Sequence, residues 1–324
     1  MSCNLLSAFM VCFRISPVLI FLPLVILLSI TNNALSQQVA DDAFHLPEIV
    51  PTFKHGRGPV VLMDAYHNNA GLLEGNYRPF GKLLEKDGYR IEQVKEAFTT
   101  DVLSRGQILL IINPLATENM DNWKLPVFPA FSPHEISAIC KWVYNGGALL
   151  LAADHMPFPG ASETLAREFG VIFTNGFAID TVHWDPLVFR KSDGSLATHP
   201  ITNGSNPSEK IDSVASFWGQ AFRSSSPEST GLFMFGQNVV SYNPDTAWRF
   251  NEHTPVIPVQ GWQQGVALAY GKGRALILGE AGMLSAQLVG PRRVPMGMNS
   301  PFAKQNLQFI LNAMHWLSCL LPVK

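Results

Sequence analysis

Four apolar runs in this chain stop at polar side chains: PVVLMD at Asp64, ILLIIN at Asn113, ALLLAADH at Asp154 and His155, and ALILGE at Glu280. Short, unalternating runs of Val, Leu, Ile and Ala fit strands buried on both faces, as in a parallel sheet covered by helices. Helical patterns lie between them. Phe80, Leu83 and Leu84 share one face of a segment from about Arg78 to Asp87, with Gly88 as its stop. Ser132, Pro133 and Glu135 spell a helix start with a capping box, and Asn145-Gly146-Gly147 its end. Further strands are expected over Tyr89–Val94 and in a hairpin around Gly271-Lys272-Gly273-Arg274. Helices are expected at Thr100–Ser104, Ser162–Glu168 and Lys304–Leu317. This alternation predicts an α/β fold with a parallel sheet and helices on both faces. Ligands of such sheets bind in the crevice beyond the carboxyl ends of the strands, so the four polar strand ends mark a site assembled from distant segments.

The N-terminus reads as a targeting segment. Arg14 precedes an uncharged run from Ile15 to Ile30, and Ala34-Leu35-Ser36 places small residues at a cleavage point before Gln37. Residues 1–36 are therefore expected to be a signal peptide of a secreted or periplasmic protein; the alternative is a membrane anchor left uncleaved. Removing them takes Arg14 and no acid from 23 basic and 25 acidic residues, leaving a formal charge of −3. Such a near-balance argues against nucleic acid as a partner. Cys140 and Cys319 alone remain, too few for a disulfide framework, and their helical settings predict two buried free thiols. Residues 37–57, with Pro47, Pro51 and Gly56, read as an N-terminal arm or linker. Residues 58–320 read as one domain, with an irregular β-containing elaboration over about 175–265.

The segments NGGALLLAADHMPFPGA, THPITNG, GKGRALILGE and QNLQFILNAMHWL carry a resemblance. Together they resemble an uncharacterised exported branch of the class I glutamine amidotransferase-like superfamily, related to trehalose-utilisation-like proteins. The resemblance runs from about Pro59 to Leu320 and implies a three-layer α/β/α, flavodoxin-like sheet. Members that hydrolyse glutamine carry a nucleophilic Cys on a strand-to-helix elbow. This chain has Ala153, Asp154 and His155 at that turn, and no Gly-x-Ser-x-Gly elbow exists elsewhere. Thiol-dependent amidotransfer is not expected.

The residues themselves nominate Asp64, His67, Asp154, His155 and Glu280 as acid–base groups. An Asp and a His at one strand end can support proton transfer, and a buried Glu needs a partner or a raised pKa. The competing reading of Asp64 and Asp154 is loop shaping through backbone N–H groups. Asn68, Asn69, Asn113, Gln287 and Asn299 are candidate ligand-binding amides, with loop fixing as their alternative. Trp184, in His183-Trp184-Asp185, could stack on a sugar or cover the core. His199 and His315 read as structural. No cofactor is required, although the five acid–base candidates have donor types suited to a divalent metal. Two functions follow as expectations. One is an exported hydrolase of a small-molecule or glycan-derived substrate. The other is a non-catalytic carbohydrate- or protein-binding domain on the same crevice.

Overall fold

A computed structural model of the protein describes residues 38–324, so the expected signal peptide lies outside the described residues. The core is one nine-stranded sheet. Its strands, in chain order, are β1 (Val60–Asp64), β2 (Arg90–Val94), β3 (Ile108–Ile112), β4 (Ala148–Ala152), β5 (Val171–Phe173), β6 (Phe222–Ser224), β7 (Ser229–Met234), β8 (Gln263–Tyr270) and β9 (Gly273–Leu278). They lie in the order β2-β1-β3-β4-β9-β8-β6-β5, with β7 also pairing to β8. Strands β2, β1, β3, β4 and β9 are mutually parallel. The chain leaves β1 for β2 on one side, then returns to β3 on the other. The sheet order therefore switches direction between β1 and β3, the point beside whose carboxyl ends ligands of such sheets bind.

Four helices cover this sheet: α1 (Arg78–Lys86), α2 (Pro133–Tyr144), α3 (Phe158–Glu168) and α4 (Asn306–Leu317). Side chains alternate between faces along each strand, so each strand feeds two cores. Val61, Met63, Leu110, Leu150 and Leu276 pack with α1 and α4, through residues such as Leu83 and Met314. On the other face, Leu62, Leu109, Leu149 and Ile277 pack with α2 and α3, through Ile139 and Leu165. The expected capping box is present: Ser132 Oγ accepts from the Glu135 N–H, and the Glu135 carboxylate accepts from the Ser132 N–H.

Several expectations need correcting. The sheet is mixed, because β8 runs antiparallel to β9 and carries β7 and β6 out of the elaboration into the main sheet. Helix α3 starts at Phe158, four residues before the expected Ser162. Pro159 stands in its first turn, where a missing N–H costs nothing, so the Pro-rich stretch begins a helix. Cys319 is exposed, whereas Cys140 is half-buried. Of the two readings of residues 37–57, the described part packs as an arm. Gln38–Ala40 forms a strand on Ala286–Val289, which pairs in turn with Val294–Gly297. Phe44, Leu46, Ile49 and Phe53 pack on the core. Thr52 Oγ1 and Asp87 Oδ2 both meet His315 Nε2, at 2.9 and 2.8 Å, so that helix histidine is satisfied. Among the described residues no helix is long and apolar enough to cross a membrane.

Candidate functional site

The strand-end residues fall into two groups. In the first, Asp64 is fully buried at the end of β1, and its Oδ1 accepts the N–H groups of Tyr66 and His67. The His67 ring reaches back, with Nδ1 3.0 Å from Asp64 Oδ1 and Nε2 2.8 Å from Glu135 Oε1. Glu135 is placed for this by the capping box of α2, and its Oε1 also accepts the Phe98 N–H. Phe98 and Phe131 close over the imidazole, with ring centroids 4.9 and 4.6 Å away. Burial alone would lower the His67 pKa, but the hydrogen bonds and charges of Asp64 and then Glu135 outweigh it and raise it. Burial would lift Glu135, yet the Ser132 groups, the Phe98 N–H and His67 hold it down. The result is a buried imidazolium clamped by two carboxylates.

The second group lies at the ends of the neighbouring parallel strands β4 and β9. Asp154 is half-buried; Glu280 is fully buried. The Met283 N–H donates to Glu280 Oε2 at 2.9 Å, and Oε1 is buried with no hydrogen-bond partner. Burial and the adjacent Asp154 charge push Glu280 well above the usual carboxylate range. Asp154 is also raised, by burial, against the pull of His155 and of the His155 and Ala281 N–H groups. Neighbouring like charges resist joint ionisation, which favours the protonated form of Glu280. Tyr77, at the entry to α1, shares their field: burial, then Asp154, then Glu280 lift its phenol well above 10. Nothing in the sequence reading marked Tyr77. Its place just before Arg78-Pro79, at the start of the helix returning from β1, was the available signal, since that turn borders the crevice.

An aromatic wall rises beside this pair. The His155 ring stacks on Phe177 at 4.7 Å and meets the Trp248 ring at 4.6 Å, while its Nδ1 contacts the Met156 carbonyl at 2.8 Å. Trp248 continues to Trp218 at 5.9 Å, and Phe177 to Phe250 at 5.2 Å. Trp184 and Trp218 line one small niche together with Asp180 and His183. Trp184 is 77% exposed and Trp248 48%. Trp218 and Trp248 both adopt positive φ, 83° and 64°, a conformation costly for large side chains and concentrated at functional sites. Gly219, at φ 74°, follows Trp218 and presses its backbone onto the Gly279 carbonyl, leaving no room for a Cβ. That close approach fixes Trp218 beside the end of β9.

The amides divide in the same way. Asn113 Oδ1 accepts the Asp154 N–H at 2.9 Å, tying β3 to the second group. Asn68 donates to the Leu115 carbonyl and Asn69 Oδ1 accepts from Ile112, so both shape the β1 loop. Gln287 and Asn299 do not reach the crevice group. Gln287 binds Asn76 and Ser285, and Asn299 binds Asp41 and the Gln287 carbonyl, which secures the arm. Nor do Asp64, His67, Asp154, His155 and Glu280 form one metal-ligand set. The donors of the first group bond each other, and among the described residues no three His, Cys, Asp or Glu side chains are grouped to hold an ion.

No protein-family model matches the chain, and no curated protein does. Among solved structures it is similar to the N-terminal domain of mmIFT52, at 13% identity and a TM-score of 0.56, over 80% of this chain and 97% of that one. It is also similar to a protein described as ThuA-like from Bacteroides uniformis, at 12% identity and a TM-score of 0.45, over 82% and 94% of the two chains. Cytoplasmic protein STM3548 from Salmonella typhimurium aligns at 14% identity and a TM-score of 0.47, over 80% and 98%. The first likeness shows a shared mixed α/β fold and nothing of activity. Proteins described as ThuA-like are among the structural neighbours.

Proposed function

We propose that the protein binds a carbohydrate-class ligand across the wall formed by Trp184, Trp218 and Trp248, and that it does so after export through its first 36 residues. The observation that carries the reading is the exposed aromatic wall, two of whose Trp residues sit in a strained backbone beside the Asp154 and Glu280 carboxyls. Flat apolar rings suit the C–H faces of sugars, and Asp154 and Asp180 supply acceptors for hydroxyl groups. The parallel order β2-β1-β3-β4-β9 supports a three-layer, flavodoxin-like description with its crevice on this rim. The reading invokes no cofactor. Titration of intrinsic Trp fluorescence with neutral mono- and oligosaccharides tests it. A saturable change that weakens about tenfold in Trp248→Ala is the expected result. No change with any sugar removes the proposal.

One observation favours a second reading, hydrolysis of such a ligand. Asp154 and Glu280 are adjacent, and their environments set their pKa values apart, as an ionised base and a protonated acid require. Turnover of a glycoside panel that disappears in Asp154→Asn would establish it. Saturable binding without turnover leaves the first reading alone.

A further inference from the structure

A cleft of about 300 Å³ lies between the outer face of α1 and the N-terminal arm, lined by none of the aromatic-wall residues. Its wall on α1 carries Arg78, Lys82 and Lys86; its wall on the arm carries His45. The three α1 cations stand four residues apart, so they form a single row along one helix stripe. Like charges at that spacing weaken a helix; Arg78 and Lys86 also donate to the Glu74 and Pro47 carbonyls, while Lys82 makes no such contact among the described residues.

Local carboxylates answer only part of this row. Arg78 Nη1 pairs with Asp42 Oδ1 at 3.0 Å and Lys86 Nζ with Glu48 Oε1 at 3.0 Å, but the acid side chains are 76% and 95% exposed. Pairs so wet hold weakly and yield to a better anion. Asp41 faces the same cleft, yet its Oδ1 accepts the Ala43 N–H and its Oδ2 the Asn299 amide. Lys82, in the middle of the row, has no hydrogen-bond or ion-pair partner among the described residues. Phe44, Leu46 and Pro79 add an apolar side to the same space.

We infer that this cleft binds a phosphate or sulfate monoester, its oxyanion held by Lys82 between Arg78 and Lys86 and its small apolar body against Phe44 and Leu46. A tetrahedral oxyanion offers several acceptor oxygens to neighbouring cations, and the guanidinium of Arg78 can take two of them at once. The cleft volume suits a small molecule, not a polymer. The same monoester chemistry occurs on free esters and on the headgroup of phosphatidic acid, and the assay separates them.

Calorimetry on the export-processed chain would use phenyl phosphate, inorganic phosphate and phenol. Phenyl phosphate should bind best, inorganic phosphate more weakly and phenol not at all, with affinity falling as salt rises. Lys82 is exposed, so Lys82→Ala and Lys82→Glu leave the fold intact, as thermal melting would verify. Lys82→Ala should weaken phenyl phosphate about fivefold, and Lys82→Glu should abolish its binding. In parallel, sedimentation with phosphatidic acid and phosphatidylcholine vesicles reads the lipid source. Lys82-dependent binding to phosphatidic acid vesicles alone assigns a lipid headgroup, and phenyl phosphate binding without vesicle binding assigns a soluble ester. Absence of both, or binding that Lys82→Glu leaves unchanged, overturns the inference.

Discussion

The chain builds the same local turn twice and gives it two fates. Asp64-Ala65-Tyr66-His67 and Asp180-Thr181-Val182-His183 each place an Asp whose Oδ1 accepts the N–H groups two and three residues ahead. In each, the His Nδ1 turns back to that Asp, at 3.0 and 3.3 Å. There the likeness ends. His67 is 5% exposed, finds Glu135 with its other nitrogen and lies under two Phe rings. The His183 side chain is 68% exposed and faces the Trp184 niche. The spacing fixes the turn, while burial and the third partner decide whether the imidazole is a strut or a group that can meet a ligand. The buried imidazole ties β1 to α2; the exposed one bonds only the Asp of its own turn.

Removing the strut should give the largest effect. Glu135→Ala leaves His67 buried with a broken ion network and should cost about 3–5 kcal/mol in urea unfolding. His183→Ala should change stability by no more than about 0.5 kcal/mol. A Glu135→Ala loss below about 1 kcal/mol would erase the contrast. The pH dependence sharpens it. The raised His67 pKa contributes stability that is complete below its ordinary 6.5 and fades as pH climbs through the folded value. Glu135, held low, contributes above its ordinary 4.5 and fades in acid. The stability difference between wild type and a His67→Gln variant should therefore be greatest between pH 4.5 and 6.5, narrowing on both sides. A difference that grows towards alkaline pH would contradict a clamped imidazolium.

Smaller effects are expected at the other carboxyl pair. Glu280 has a raised folded pKa, so its stabilising contribution is present below 4.5 and declines as pH rises towards the folded value. Glu280→Gln removes that decline and should gain stability at neutral pH relative to pH 4, read from parallel thermal melts; an unchanged pH profile would place Glu280 in an ordinary solvated setting. The least effect on folding belongs to Trp184→Ala, within about 0.5 kcal/mol, while sugar affinity should fall severalfold. Retained affinity would move the ligand off this end of the wall.

The fold was readable where local and tertiary preferences agree. The doubly buried strands at Ile108–Ile112 and Ala148–Ala152 and the Ser132–Glu135 capping box lie where the sequence places them. Strands β8 and β9 form the hairpin expected around Gly271-Lys272, because a two-residue turn there joins them antiparallel. In the site, residues at strand ends were visible as candidates, but their grouping was not. Nothing in the spacing of Asp64 and Glu135 predicts that one imidazole bridges them, because a side chain's third partner is set by which helix crosses the sheet. Tyr77 and Trp248 escaped for the same reason, each joining the crevice through a loop with no periodic pattern. Gln287 and Asn299 follow their loop-fixing reading, which sequence alone could not separate from ligand binding, because an amide after a core strand looks alike whether it faces a ligand or a returning strand.

The pairing of Gln38 with Val289 makes the outermost strand of the described chain wait for a hairpin about 250 positions away. During synthesis the arm has no template until most of the chain has emerged, so it docks late, and a C-terminal truncation that reaches this hairpin would release it. Undocking it would uncover Phe44, Leu46 and Phe53 together and dissolve the cationic cleft against α1. A clasp of this kind makes anion capture a readout of completed assembly: only a chain that has folded through to its final hairpin owns the pocket.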